Sequence, residues 1–380
     1  MKRVICFVLI FASLLTVSAQ ALEPLSDSDI QISAGAALLM EKLTGEVIYE
    51  KNADARLPTA SITKIMTMLL IVEDIEAGRI KPEDIVTAGS RAASFGGSCV
   101  FLAEGEKMSV DEMLKCIAVV SANDCAVAMA EYLCGTEQLF VERMNARAAE
   151  LGLENTHFTN CTGLFDDREH YSSARDVALM SAELIKHEMI KAYTTIWMDS
   201  IRGGEFELSS TNKLVYWYEG CTGLKTGYTD AAKYCLSATA ERDGVEYIAV
   251  VMRAESGDRR NADAATLLNY AFGKYTLCPL RPDEALPEIP VDMGRQSSVA
   301  LSYGGGEYAL VAKGGAAPEY TPVLPESVSA PVKAGDVIGE LSVSSGGTEV
   351  ARVPLCAAQD VPRLGFFGLL GTLAGSLLGL

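Results

Sequence analysis

The chain has 380 residues, 49% of them hydrophobic and 22% charged, a globular balance that excludes a disordered polymer and gives room for one large domain plus a smaller one. Its formal charge is −18 and no block of Lys or Arg offers a stripe to follow phosphates, which excludes nucleic acid as a partner.

Lys2 and Arg3 precede the apolar run 4–15, and Ala19-Gln20-Ala21 supplies a small-x-small cleavage pattern, so residues 1–21 read as an export signal. Removing that segment, with its two bases and no acid, takes the formal charge from −18 to −20. The mature chain then starts near residue 22, outside the cytoplasm. Of ten cysteines, Cys6 lies in the signal; the nine others form no C-x-x-C, so no zinc ribbon or redox motif is indicated and no disulfide is assigned.

Runs 36–40 and 46–50 predict a hairpin joined by Lys42-Leu43-Thr44-Gly45. A loop with Pro58 follows, then the apolar stretch 62–72 with helical spacing. Residues 109–133 read as a second helical region, and 171–187 as a third, with Ser172 and Ser173 as candidate caps. Strand signals return at 234–240 and 246–253, a hairpin turning through Glu241-Arg242-Asp243-Gly244, and 260–275 closes as a helix. Hairpins at both ends with helices between them predict an α+β fold, an antiparallel sheet flanked by helices, over residues 22–278.

Pro279, Pro282, Pro287 and Pro290 then mark a linker over 279–290, and short apolar runs separated by Gly and Pro predict a small all-β domain over 291–360. Residues 361–380 read as a membrane-associating segment, because 364–380 carries no charge. As a helix that stretch is about 26 Å long, slightly short of a ~30 Å hydrocarbon core. Gly371, Gly375 and Gly379 put small residues on one of its faces.

Three short elements carry chemistry. Ser61-Ile62-Thr63-Lys64 opens the first apolar helix, and residues at i and i+3 share a helix face, so the hydroxyl and the amine can lie side by side. A hydroxyl needs an adjacent base to attack, and a buried Lys with a lowered pKa can be that base. Ser121-Ala122-Asn123 offers a hydroxyl for proton relay and an amide for gripping a peptide group. Lys225-Thr226-Gly227 offers a cation and a hydroxyl suited to a carboxylate, with Gly227 allowing a ligand backbone to approach.

S-x-x-K, S-x-N and K-T-G in this order resemble the penicillin-binding protein and serine β-lactamase superfamily, and within it the D-alanyl-D-alanine carboxypeptidases. Pro58-Thr59-Ala60, Asp124, Thr162-Gly163-Leu164, Tyr171-Ser172-Ser173-Ala174-Arg175-Asp176, Gly223-Leu224 and Leu267-Leu268-Asn269-Tyr270-Ala271-Phe272 extend the similarity, which runs from about residue 30 to the end. The resemblance implies an antiparallel, transpeptidase-like fold and a two-step acyl transfer. Ser61, deprotonated by Lys64, attacks the bond between the terminal D-alanines of a peptidoglycan stem peptide, and water hydrolyses the acyl-enzyme. It also implies acylation by β-lactam antibiotics, a proton relay through Ser121, and an amide grip by Asn123. Lys225 and Thr226 engage the terminal carboxylate, the backbone N–H groups of Ser61 and Tyr228 form the oxyanion hole, Arg260 steers the carboxylate and Arg175 braces the site. No cofactor or metal is implied, and the enzyme is expected at the outer face of the cytoplasmic membrane.

The tail departs from the family pattern, since anchoring tails there are usually amphipathic and basic. Cys161 and Cys221 each precede a Thr-Gly-Leu, a pairing the sequence does not explain. A Ser-His-Asp hydrolase is disfavoured: only His157, His170 and His187 exist, with no G-x-S-x-G, and no H-E-x-x-H supports a zinc peptidase. A β-lactamase and a non-catalytic penicillin-binding wall protein are the alternatives. The trailing β domain counts against the first, and the complete set Ser61, Lys64, Ser121 and Lys225 against the second.

Overall fold

A computed structural model describes residues 18–19, 24–25, 29–165, 167–366 and 368. The chain divides into two units, one spanning Leu22–Lys274 and the other holding the strands from Tyr275 onward.

A five-stranded antiparallel sheet organises the first unit. Its strands are β1 (Ala36–Glu41), β2 (Val47–Lys51), β3 (Cys221–Thr229), β4 (Lys233–Arg242) and β5 (Val245–Ala254), in the spatial order β2-β1-β5-β4-β3. The two hairpins read from the sequence are β1–β2 and β4–β5. The second turns through Asp243 and Gly244 at φ 52° and 76°, the doubly positive conformation whose twist suits paired strands. Strand β5 is buried on both faces: Ile248, Val250 and Met252 enter the main core, while Tyr247 meets Phe272 edge-on at 4.9 Å.

The main core is helical. Helix α1 (Lys64–Glu76) is buried at every position from Lys64 to Val72, so it runs through the middle of the unit rather than over its surface. Its neighbours include α2 (Val110–Val119), α3 (Asn123–Cys134), α4 (Glu137–Glu150) and α5 (Ala174–Lys186). Helix α5 lies against β1 and β5, and Ser173 caps it by accepting the Asp176 N–H at 3.1 Å. Helix α6 (Gly257–Lys274) packs on β4 and β5.

The stretch expected as one helical region over 109–133 is two helices. Ser109 and Glu112 form a capping box at the start of α2, and Ser121, at φ 64°, leaves the right-handed conformation and breaks the chain before α3. This break places Asn123, the first residue of α3, where its side-chain oxygen meets Lys64 at the start of α1. Helix α4 and the hairpin of Met198–Ile201 with Phe206–Ser209 had no distinct signal in the sequence reading.

The second unit is all-β. Val337–Ser345 pairs with Thr348–Ala357 and with Pro318–Val323, over a core of Leu341, Val343, Ala351, Val353 and Leu355. Residues 275–278, assigned from sequence to the first domain, lie in strand Tyr275–Pro279, which pairs with Tyr308–Ala312. The prolines of 279–290 punctuate packed chain rather than a free spacer: Leu280 is buried in this unit's core and Ile289–Asp292 is a strand. The apolar residues between those prolines find a core, which outweighs the loop-forming composition.

Of the export signal only residues 18–19 are described, and Ser18–Ala19 pairs with Ala351 and Arg352. Of the segment 361–380, residues 361–366 and 368 are described, and Val361, assigned from sequence to that segment, is buried in a core of the β unit. Among the described residues no helix is long and apolar enough to cross a membrane.

Candidate active site

Ala60–Thr63 forms a 3-10 turn that leads into α1, with Ser61 on the turn and Lys64 as the first residue of the helix. Lys64 Nζ makes three polar contacts: Ser61 Oγ at 2.9 Å, Asn123 Oδ1 at 2.6 Å and the Thr162 carbonyl oxygen at 2.9 Å. The side chain has no exposed surface. Loss of water pushes its pKa down to about 7, against the opposing influence of Cys161, Cys99 and Asp124 nearby. Amide and carbonyl oxygens can only accept, so a neutral amine gives them its two N–H groups and turns its lone pair to the Ser61 hydroxyl.

Asn123 is held from both ends. Its backbone N–H donates to Ser98 O at 2.7 Å, and Nδ2 donates to Gly96 O at 2.8 Å. The buried carboxylate of Asp124 accepts the N–H groups of Val100 and Leu102 at 3.1 and 3.0 Å, fastening the loop in front of α3. Ser121 is on the same corner, buried, at positive φ, and its Oγ has no hydrogen-bond partner among the described residues. Strained backbone and an unsatisfied buried hydroxyl are each costly and concentrate at functional sites.

Strand β3 supplies the third wall. Lys225 is buried and donates to Thr226 O at 3.0 Å; among the described residues it has no acidic partner. Desolvation holds its pKa well below the ordinary lysine value, and the positive charges of Lys64 and Arg260 add to the effect. Arg260 lies buried in the first turn of α6, with Nε donating to Asn261 Oδ1 at 3.1 Å. Buried Lys225 thus interacts with buried Arg260, and with Lys64 whenever that amine is protonated, an arrangement that favours an anion. Thr226 Oγ1 donates to Thr211 Oγ1 at 2.7 Å, and Tyr228 is half exposed, its ring 4.5 Å from that of Tyr234.

Two readings change. Gly227 makes room for the protein's own chain rather than a ligand's: a Cβ there would lie 2.8 Å from Thr59 O and 3.1 Å from Ile62 N. The missing side chain lets β3 lie directly on the turn that carries Ser61. Arg175 does not reach the site; it pairs with Glu50 and Asp54, each at 2.7 Å.

Thr159, Asn160 and His170 are candidate site components that no sequence motif pointed to. Asn160 Oδ1 accepts from Thr162 N and Gly163 N at 3.0 and 2.7 Å, and this ties the loop that aims the Thr162 carbonyl at Lys64. Gly163, at φ 73°, sits where a Cβ would fall 1.8 Å from Ala60 O. The sequence signals for this loop were the Thr162-Gly163-Leu164 match and the cysteine before it; His170 had none, and it is 3% exposed. The nine cysteines 99–356 are free thiols, with Cys161 Sγ donating to Glu137 and Cys221 Sγ to Gly223 O. Among the described residues no three His, Cys, Asp or Glu side chains are grouped to hold a metal.

A profile of the D-alanyl-D-alanine carboxypeptidase family matches residues 20–256, and one of the penicillin-binding protein 5 C-terminal domain matches 278–363. The chain is 41% identical to D-alanyl-D-alanine carboxypeptidase DacF of Bacillus subtilis (strain 168), covering 97% of each chain, and 32% identical to DacC of Escherichia coli (strain K12), covering 95% and 91%. Among solved structures, penicillin binding protein 5 from Haemophilus influenzae superposes with a TM-score of 0.79 at 29% identity, over 90% of this chain and 100% of that one. Penicillin-Binding Protein D2 from Listeria monocytogenes, in its ampicillin-bound form, matches with a TM-score of 0.59 at 31% identity, over 64% and 99%.

Proposed function

The chain belongs to the D-alanyl-D-alanine carboxypeptidase family, a serine-type hydrolase family, and we propose that Ser61 is its nucleophile and Lys64 the base that activates it. The observation that carries this is the buried Lys64 amine, 2.9 Å from Ser61 Oγ, with two oxygens positioned to take its N–H groups. In the first step the Ser61 proton passes to the Lys64 lone pair as Oγ bonds to the carbonyl carbon of the penultimate D-alanine. The backbone N–H groups of Ser61 and Tyr228 receive the oxyanion; such a donor typically supplies ~2.7–4 kcal/mol. As the peptide bond breaks, the Ser121 hydroxyl hands a proton to the departing amine, and D-alanine leaves. Water then attacks the ester by the reverse proton path.

Binding follows from charge and shape. The terminal carboxylate settles against Lys225 and the Thr226 hydroxyl with Arg260 behind, supplying Lys225 with the acidic partner it lacks among the described residues. Asn123 donates its second Nδ2 hydrogen to the acyl chain. A β-lactam presents the same carboxylate and a strained amide, so it acylates Ser61. The basic-apolar start and the uncharged residues 364–380 support export and membrane association on the outer face.

The test is to incubate the full chain with a pentapeptide ending in D-Ala-D-Ala, and separately with penicillin. Stoichiometric release of one D-alanine per peptide and a long-lived penicilloyl adduct are expected. Rapid penicillin turnover without D-alanine release would overturn the reading in favour of a β-lactamase, and neither event would leave a binding protein.

A further inference from the structure

Both ring nitrogens of buried His170 are engaged. The Thr159 backbone N–H donates to Nδ1 at 3.1 Å, and Nε2 lies 2.7 Å from Thr63 Oγ1. A backbone N–H cannot accept, so Nδ1 carries the lone pair and Nε2 the proton, and the ring donates to Thr63. Thr63 in turn lies 2.9 Å from Thr59 Oγ1 and, having accepted from His170, donates there. Burial keeps the ring neutral, with a pKa pushed down to about 4; Asp167, His157 and Lys64 are the charged or titratable groups that act on it.

The two partners of this ring belong to different parts of the site. Thr63 stands between Ser61 and Lys64 on the nucleophile turn. Thr159 starts the loop whose Thr162 carbonyl accepts from Lys64. One further bond crosses the same seam, from Thr67 Oγ1 to Cys161 O at 2.7 Å, and Gly163 packs on Ala60 with no room for a side chain. The imidazole therefore fastens turn to loop, with Thr63 on one ring nitrogen and Thr159 on the other.

We propose that His170 is a positioning residue for acylation: through Thr63 and Thr159 it clamps the Thr162 loop onto the Ser61 turn, keeping Lys64 dry and aimed at the nucleophile. This inference rests on the reading of Lys64 as the base. Truncating the ring opens space beside Lys64 to water, which restores the ammonium's hydration. Desolvation is the largest influence on Lys64, so hydration outweighs the loss of one carbonyl contact and its pKa moves up from about 7. The other groups that act electrostatically with Lys64 are Asp124, Cys161, Cys99 and Lys225, and none of them changes in the variant.

The experiment measures penicillin acylation of the full chain across pH, with folding checked by circular dichroism. His170→Ala lowers the second-order acylation constant at pH 7 by about tenfold, a conservative figure for sub-ångström misplacement, and moves the acid limb to higher pH. His170→Gln, whose amide N–H reaches the Nε2 position, recovers most of the rate; His170→Asn, which can replace only the Nδ1 acceptor, does not. Thr63→Val reproduces the loss without touching the ring, and combining it with His170→Ala adds little further, as expected of two members of one clamp. A folded His170→Ala with unchanged rate and unchanged acid limb overturns the proposal, and so does a normal Thr63→Val if His170→Ala fails to fold. Lys64→Ala separates the two levels: residual full activity there sinks the base assignment itself, whereas a dead Lys64→Ala beside a normal His170→Ala sinks only the clamp.

Discussion

Lys64 Nζ lies 2.9 Å from Ser61 Oγ on a side chain with no exposed surface, and its other two contacts are oxygens that can only accept. Geometry and burial therefore act in the same direction. Burial removes the proton, and the acceptors orient the remaining N–H groups away from the serine. The lone pair is left where a base needs it.

This relationship predicts a pH profile. Lys64 works as the neutral amine, and its pKa is pushed down to about 7, so protonation removes activity as pH falls through that value. Acylation by penicillin should fall about tenfold per pH unit below the limb and level off above it. A pH series of stopped-flow acylation rates checks this; an acid limb near pH 10, the ordinary lysine range, would mean that burial does not govern the base.

Ser121 separates stability from catalysis. Its hydroxyl is buried without a partner among the described residues, so deleting it leaves none of their groups newly unsatisfied. Ser121→Ala should keep or slightly raise the melting temperature while cutting D-alanine release by about 10²-fold or more, the usual scale of a lost proton-transfer group. Thermal melts and turnover on the same sample give both readings, and a large drop in melting temperature would make the residue structural.

The cation cluster predicts a requirement for a carboxylate. Lys225 is depressed in pKa and has no acidic partner among the described residues, with Lys64 and Arg260 acting on it. Replacing the substrate's terminal carboxylate by a carboxamide should cost about 10²-fold in kcat/KM, in line with losing one partner of a buried charge pair. Lys225→Met should lose the discrimination between the two substrates. Equal processing of both by the unsubstituted chain would remove Lys225 from the binding role.

Gly163 makes a steric prediction. A methyl group at this position would fall 1.8 Å from Ala60 O, on backbone already at φ 73°. Gly163→Ala should destabilise the chain by about 1–3 kcal/mol through overpacking and displace the Thr162 carbonyl from Lys64. Urea titration and the acylation rate report the two effects, and unchanged values for both would show that the loop has another place to go.

How much of this was legible in the sequence depends on how local each relationship is. Ser61 and Lys64 are three residues apart, and helix periodicity alone brings them together. The β4–β5 hairpin was legible because Asp243-Gly244 specifies its turn chemistry. The Thr162 contact joins positions 98 residues apart through a backbone oxygen, which has no residue-type signature. His170 was hidden for the same reason, since a neutral, fully bonded imidazole looks in sequence like any loop histidine. Ser121 carried helical neighbours on both sides, and only its φ of 64° reveals the corner that splits 109–133 into two helices. Gly227 was read as space for a ligand because sequence does not say which backbone approaches; Thr59 and Ile62 do. The prolines of 279–290 suggested a linker, yet the apolar residues among them, Leu280 and Ile289, are buried in cores of the β unit.

The central claim is that one serine, Ser61, carries the acyl group. Peptide mapping by mass spectrometry after a short incubation with penicillin tests it most directly. The prediction is a single penicilloyl group per chain, on the peptide containing Ser61, absent from Ser61→Ala and slowed in Lys64→Ala. An adduct on any other residue, or D-alanine release by Ser61→Ala at the unsubstituted rate, would contradict it.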